Sequence, residues 1–537
     1  MTMSGKATIV LRESEGVKPL IVNPTYRLWT VVILLVAIVA IRQPAVLAGT
    51  AGLLLFIALW CGIPLRTILR RMLLLLPFGA GAALFVPFHT AGEPAFDVLG
   101  FTATHEGVER ATVILLKLAS ANLLLTYLLA ATPIFVLIRS LRAVGIPAVM
   151  LEIMALLLRY FFLLKEEAHG MSKAQRSRGM NTTGWLWNAI AYKRFGQLMG
   201  ALFVRAYSRS GRIYTAMLAR GGLEGGYPVK DEQAASGAKG PVVEVKDVGY
   251  AYGSIPALKG VSFDIAAGSK VALMGPNGAG KSTLISLLNG LEPAQAGEVR
   301  LFGEKVTRAN EHRLRRSVGV VYQDPDDQIF SATVLEDVAF GPRNLGLTAE
   351  EASERAAEAL ESVGMLELRD RSPFELSYGQ KRRVAIAGVL AMRPAFMILD
   401  EPMSFLDPRG RDELQALLGK LHEGGLTIMV ATHDVDFAAE WADRVLLLKD
   451  GKLLASGTAD VLFDDKLLEQ ASLHLPRLAR PFRLLQGAGA GSGAGVGDYR
   501  PRTVKEAAQL IWKLLSRGGE YAKESGKSLE GERIAKP

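Results

Sequence analysis

Nine residues, Gly275-Pro276-Asn277-Gly278-Ala279-Gly280-Lys281-Ser282-Thr283, fit the pattern G-x-x-x-x-G-K-[ST]. An apolar strand, Val271 to Met274, precedes them, and a helical run, Leu284 to Leu288, follows. That context separates a phosphate-binding loop from a chance glycine-rich turn. The glycines let backbone N–H groups wrap phosphates, Lys281 brings a point charge to the β- and γ-phosphates, and Ser282 offers its hydroxyl to Mg²⁺. The helix that the loop opens adds partial positive charge at its N-terminus. A bound nucleoside triphosphate is the expected ligand.

Further residues of the same chemistry follow in order. Phe396 to Glu401 reads as an apolar strand ending in two acids. Asp400 is expected to hold Mg²⁺ with Ser282, and Glu401 to polarise the attacking water as general base. Gln323 is expected at the metal and the water, and His433, at the end of the strand Thr427 to Val430, at the γ-phosphate. Upstream, Tyr252 offers a flat face for adenine, with Tyr250 as the competing choice. ATP and Mg²⁺ are thus the expected cofactors.

The elements that must position these residues divide the chain. Of 537 residues, 50% are hydrophobic, and the mean hydropathy is +0.22. Long apolar runs fill the first part, whereas the region after Val242 has ordinary soluble composition. Leu28 to Ile41, Ala45 to Ile63, Met72 to Phe88 and Ala111 to Ala131 are candidate membrane spans, each near the roughly twenty residues that a crossing helix needs. Lys6, Arg12, Lys18 and Arg27 precede the first span, Arg66, Arg70 and Arg71 separate the second from the third, and Arg139 and Arg142 follow the fourth. The loop from His89 to Glu109 carries acids and neither Lys nor Arg. Positive charge stays inside, so the N-terminus is expected to be cytoplasmic.

From Ala168 to Leu223 the chain is basic with no acidic residue, so this stretch is also expected on the cytoplasmic side. The flanking runs, Ala148 to Leu164 and Trp185 to Tyr207, read either as long helices at that face or as two further spans. No cleaved signal peptide is expected. The net charge of +9 clusters around the apolar runs and so points to membrane orientation, not to nucleic acid. The single cysteine, Cys61, allows no disulfide within the chain and reads as a packing residue. The seven histidines are scattered and form no metal-ligand cluster. The expected organisation is a cytoplasmic segment 1–22, a membrane all-α bundle 23–226, a linker 227–241, an α/β P-loop domain 242–485, a Gly/Ala-rich linker 486–502, and an amphipathic helix with a disordered tail, 503–537.

From Val242 to about Leu485 the set resembles the nucleotide-binding domain of ATP-binding-cassette proteins. The resemblance implies that a signature, here Leu376-Ser377-Tyr378-Gly379-Gln380, closes on ATP held by the phosphate loop of a second domain. Ser377, Gly379 and Gln380 match it, whereas Tyr378 stands where the commonest form has glycine. Asp407, in Ser404-Phe405-Leu406-Asp407, matches the family's dimer-contact loop. The membrane half resembles the transmembrane coupling component of energy-coupling-factor transporters. The carriers are Asn23-Pro24, Gly62-Ile63-Pro64-Leu65-Arg66, Arg178-Gly179 and Ala219-Arg220-Gly221. In that family such arginines end two crossed helices that dock onto the ATPases, and Arg forks followed by glycine suit the task.

The run Lys381 to Pro394, KRRVAIAGVLAMRP, most resembles the cobalt/nickel branch, the CbiQ–CbiO type. The resemblance implies an ATP-hydrolysing module in a prokaryotic inner membrane that tilts a separate substrate-binding membrane subunit. The second ATPase would come by homodimerisation or from a free ATPase subunit. A vitamin importer, a half-size exporter and a membrane-tethered regulatory ATPase are the competing functions.

Overall fold

A computed structural model describes residues 18–98, 101–177, 189–222, 240–487 and 499–513. The chain forms two compact units, Met1–Phe203 and Val204–Pro537.

The first unit is helical. Helix α1 (Pro24–Ala40) starts early because Asn23 caps it, accepting from the Thr25 N–H at 3.0 Å, and Pro24 presets the first turn. Helix α2 (Pro44–Trp60) also opens on proline. Helix α3 (Leu65–His89) takes the basic Arg66, Arg70 and Arg71 into its first two turns. A short hairpin, β1 (Pro94–Val98) and β2 (Phe101–Thr104), leads into α4 (His105–Ala131), capped by Thr104. Among the described residues, α4 is the one helix long and apolar enough to cross a membrane, while α1 and α2 are apolar at 17 residues each. Leu28, Val31 and Ile38 of α1 pack with Leu47, Ile68, Leu123 and Leu124, and Cys61 is buried among them. The buried Arg27 donates to the Ile21 carbonyl, to Thr132 Oγ1 at 2.6 Å and to the Ala131 carbonyl, and so joins the start of α1 to the end of α4. Ile33, Val36, Leu53, Phe56 and Trp60 remain exposed. Helix α5 (Ile134–Ser140) follows, then two long helices, α6 (Ala148–Ser177) and α7 (Ala189–Ala219), the second of which continues into the second unit.

The second unit is α/β. A twelve-residue hairpin pair, β3 (Pro241–Tyr252) and β4 (Ile255–Ala266), joins β6 (Ala296–Leu301) and β7 (Glu304–Lys305) in an antiparallel sheet. The main sheet has the order β12-β11-β5-β10-β9-β8. Its central strands are β5 (Lys270–Met274), β9 (Phe396–Asp400) and β10 (Thr427–Thr432), flanked by β8 (Val318–Val321), β11 (Arg444–Lys449) and the antiparallel β12 (Lys452–Gly457). Strands buried on both faces read as continuous apolar runs, as in Phe396 to Leu399. Helices cover the sheet: α8 (Lys281–Leu288), α9 (Glu311–Ser317), α10 (Val334–Asn344), α11 (Ala349–Ser362), α12 (Tyr378–Leu390) and α13 (Pro408–Glu423). The 486–502 linker ends sooner than expected. Arg502 binds Asp460 at 2.7 Å, and Tyr499 lies 6.2 Å from the ring of Phe482, so residues from Tyr499 onward pack on this unit. A helix runs from Val504 to Lys513, the last described residue.

Candidate functional site

Strand β5 delivers the phosphate loop. Gly275 has φ +153°, and a Cβ there would lie 2.0 Å from the Leu448 carbonyl oxygen. Gly280, at φ +103°, caps α8 in the left-handed region. Lys281 is 8% exposed. Its ammonium donates to the Gly275 carbonyl at 2.6 Å and the Pro276 carbonyl at 3.1 Å, which holds it folded over the loop. Burial lowers its pKa, and the charges of Glu401 and Asp400 oppose that shift.

The acids arrive from the neighbouring strands. Strands β9 and β10 run parallel with Ala431 opposite Asp400, and the Glu401 N–H donates to the Ala431 carbonyl at 2.8 Å. Glu401 sits at φ +45°, an unusual conformation for a non-glycine residue. That turn sets its carboxylate 2.8 Å from His433 Nδ1. Ser404 Oγ donates to its other oxygen at 3.4 Å. Burial, and next the charge of Glu401, pushes Asp400 up to about 6, against the pull of Lys281 and Arg382. One cleft of about 1010 Å³ is lined by Pro276 to Thr283 together with Gln323, Asp400, Glu401 and His433. Ser282, Gln323 and Asp400 bring to it a hydroxyl, an amide and a carboxylate oxygen, a donor set that suits a hard divalent cation.

The signature lies elsewhere. Ser377 caps α12, accepting from the Gln380 N–H at 3.3 Å while Gln380 Oε1 accepts from the Ser377 N–H at 2.8 Å, a reciprocal capping box. Ser377, Gly379, Gln380 and Asp407 line a separate recess of about 680 Å³ with Phe405 and Arg383. Asp407 also caps α13 through the Gly410 N–H at 2.9 Å. The fold therefore does not bring these four residues to Lys281. Of the two upstream tyrosines, Tyr250 is buried and donates to Glu292 at 3.0 Å, while Tyr252 is 52% exposed, its ring edge-on to Tyr250 at 5.0 Å. Neither lines the cleft.

A second constellation joins the last turns of α7 to the ATPase fold. Arg220 is 1% exposed. Its Nη1 lies 3.0 Å from Asp337 Oδ2, whose other oxygen accepts from the Phe330 N–H at 2.7 Å and the Ser331 N–H at 3.0 Å. The guanidinium lies 5.8 Å from the Phe330 ring centre and packs on the bare face of Gly388, where a Cβ would come within 2.7 Å. Gly221 then turns at φ +96°, and Asn344 Nδ2 donates to the Arg220 carbonyl at 3.0 Å. About two and three turns earlier, Arg212 and Arg209 reach Asp327 at 2.6 and 3.3 Å. Burial pushes the Asp327 carboxyl up, and Arg212 and Arg209 pull it back. Sequence reasoning had Arg209 and Arg212 in the basic block and Asp327 within Tyr322 to Phe330, a segment that resembles the family's contact with the coupling helices, but it paired none of them and did not single out Asp337. The signal for three of them was there: Asp324, Asp326 and Asp327 follow Gln323 at once, and the basic block upstream has no acid of its own. The expected counterpart of the Arg220 turn, Arg178-Gly179, lies outside the described residues.

Two family models match in tandem. The one described as "Cobalt transport protein" covers residues 20–226, and "ABC transporter" covers 258–404. An energy-coupling factor transporter ATP-binding protein of Carboxydothermus hydrogenoformans is 46% identical over 274 residues, which is 51% of this chain and 98% of the relative. A protein of the same description from Methanothermobacter thermautotrophicus is 48% identical over 252 residues, 46% of this chain and 81% of the relative. Among solved structures, CbiO1 of Clostridium perfringens, described as part of the transporter complex CbiONQ, aligns at 38% identity with a TM-score of 0.41, over 45% of this chain and 99% of that one.

Proposed function

The chain belongs to the energy-coupling-factor family of ATP-binding-cassette proteins, and from that premise we propose that it is the ATP-driven coupling module of an importer. Its substrate-binding subunit would be a separate integral membrane protein, with cobalt or nickel as cargo. The observation that carries the reading is the joint. Arg220, inside the region matched by the cobalt transport family, is buried against Asp337 in the ATPase fold. ATP-driven motion in the ATPase would then reach α7 through a fixed contact.

The roles divide as follows. The Gly275–Thr283 loop and Lys281 cradle the phosphates, and Tyr252, the exposed member of its pair, stacks on adenine. Ser282, Gln323 and Asp400 hold Mg²⁺, which when bound neutralises charge on the β- and γ-phosphates. Glu401 takes the proton of the attacking water. His433 orients that carboxylate through Nδ1 and keeps Nε2 for the γ-phosphate. Ser377, Gly379, Gln380 and Asp407 serve the site of a second ATPase domain, and their separation from Lys281 supports that division. Homodimerisation supplies the second domain, ahead of a free ATPase subunit.

Residues 23–226 form the membrane bundle with its coupling helices, in a prokaryotic cell membrane that the chain crosses several times. Residues 242–485 form the cytoplasmic ATPase. The basic flanks of the apolar helices and the absence of Lys and Arg from His89 to Glu109 support that orientation. Gentle purification from the native membrane, with identification of the small integral membrane proteins that follow and of their metal, tests the whole. A partner carrying cobalt or nickel is the expected result. A vitamin-binding partner overturns the metal, and the absence of any such partner overturns the coupling role.

A further inference from the structure

Tyr378 stands where the commonest signature has glycine, and nothing in the division of roles above uses it. Its position is specific. As the first residue of α12, directly after the Ser377 cap, it puts its hydroxyl 3.2 Å from the Gln323 carbonyl, to which it donates, and accepts from Arg382 Nη2 at 3.1 Å. Arg382 lies one helical turn further along the same face, is 1% exposed, and donates to the Tyr322 carbonyl at 2.7 Å and to the Gln323 carbonyl. The guanidinium centre is 5.5 Å from the Tyr378 ring centre. Lys381, between them on the helix, binds Asp326 at 2.8 Å. The outer edge of the Tyr378 ring meets Phe405 at 5.8 Å, edge-on, and Phe405 is held at φ +64°. The residue that presents Gln323 to one cleft is therefore tied, by its own backbone oxygen, to the helix start that presents Ser377 to another.

We propose that Tyr378 is a positioning residue: its hydroxyl locks the Gln323 backbone to the N-terminus of α12, so that the two nucleotide sites to which one ATPase domain contributes are set together. The inference rests on the roles given above to Gln323 and Ser377. A glycine at 378 leaves Arg382 alone on the Gln323 carbonyl and opens the space between that segment and the 404–407 loop. The aromatic ring with its hydroxyl fills that space and adds a second donor to the Gln323 carbonyl beside Arg382.

Tyr378→Phe in the full chain removes the hydroxyl and keeps the ring. Three readouts are taken together: hydrogen exchange over residues 322–327 with the β10 peptides as internal reference, kcat and KM for ATP, and equilibrium ATP binding. Loss of one hydrogen bond sets the expected scale at about fivefold. Exchange of the 322–327 segment should rise about fivefold with β10 unchanged, kcat should fall about fivefold, and KM and ATP affinity should stay within about twofold. Unchanged exchange and kcat overturn the proposal. So does faster exchange with unchanged kcat, which would make the bond structural only. Gln323→Ala and Ser377→Ala run alongside. If both hydrolyse ATP at the parent rate, the site roles have failed; if both are impaired while Tyr378→Phe is not, the tie alone has failed.

Discussion

Arg220→Met tests the joint most sharply. The substitution keeps an unbranched side chain of similar reach and removes the charge. Removing one partner of a buried ion pair costs about 3–5 kcal/mol because the other charge stays buried and uncompensated. Asp337 is 0% exposed, but it keeps two backbone N–H donors, from Phe330 and Ser331 at 2.7 and 3.0 Å. The lower end, about 3 kcal/mol, is therefore the expected value. At 1.36 kcal/mol per decade this is an increase of about a hundredfold in local opening. Hydrogen exchange in the full, detergent-solubilised chain reads it directly, over the amides of Ile213 to Ala219 at the end of α7. Arg212→Met is the control. That side chain is 54% exposed, and its buried partner Asp327 keeps Arg209 at 3.3 Å, so exchange should rise by less than about fivefold. A cycle with Asp337→Asn should return a coupling of about 2 kcal/mol or more. If Arg220→Met raises exchange no more than Arg212→Met does, the buried pair is not what fixes α7, and the argument for transmission through it is wrong.

Glu401→Gln should lower kcat by about 10²–10⁴-fold while ATP binding persists, measured by phosphate release and equilibrium binding, and transport should stop in a complex that still assembles; hydrolysis at the parent rate would remove Glu401 as the base. Asp400 gives a pH signature: with its folded pKa near 6 and the usual value 3.8, the ionised carboxylate weakens the nucleotide-free fold above pH 6 by about 3 kcal/mol (6 − 3.8 = 2.2 decades), and that penalty fades as pH falls through 6 towards 4. Asp400→Asn should accordingly raise the Tm of the nucleotide-free protein at pH 8 and leave it unchanged at pH 4; no difference between the two pH values would refute the strained pair. Gly221→Ala meets both a left-handed backbone and Asn344 Cβ at 2.9 Å, so it should destabilise the end of α7 by about 1–3 kcal/mol, with part of the loss recovered in Gly221→Ala/Asn344→Gly.

The phosphate loop and the paired acids were legible because backbone geometry dictates them. Gly275 and Gly280 stand where a Cβ would strike Leu448 or Ala257, and Asp400-Glu401 ends an apolar run that only a buried parallel strand explains. The helices of the first unit were legible from apolar length, although they start earlier than the apolar runs do: Asn23-Pro24 and Thr104 are capping signals, and Arg66 to Arg71 fit a helix despite their charge. Long-range pairing was not legible. Arg220 and Asp337 are 117 residues apart, and Asp337 reads as an ordinary acid in the first turn of a capped helix. Arg209 and Arg212 read as orientation charges, and although Tyr322 to Phe330 resembles a segment that contacts the coupling helices, nothing in the spacing pairs those arginines with Asp327. The tie at Tyr378 was half visible, since the residue breaks the commonest pattern, but its partner is a backbone carbonyl 55 residues upstream, which no side-chain pattern encodes.

The two arginine contacts at the end of α7 differ in kind, and the difference bears on how a helix can be driven without being released. The Arg220–Asp337 pair is sealed on both sides, with Phe330, Gly388 and Asn344 shaping its pocket. Such a contact breaks only at a cost comparable with a sizeable part of a domain's stability. Arg209 and Arg212 share one carboxylate, Asp327, and Arg209 lies within 3.6 Å of a second, Asp324; the Arg212 and Asp324 side chains are 54% and 40% exposed. Asp327 itself is only 7% exposed, but with two arginines on it either one can be lost while the other still faces that carboxylate. One contact is single and sealed, and the other is shared and partly exposed. The shared contact sits on the segment that also carries Gln323 into the cleft and is bound from its other side by Lys381 and Arg382 of α12. A displacement of that segment together with α12 would thus act on Arg209 and Arg212 first, while Arg220 keeps α7 attached.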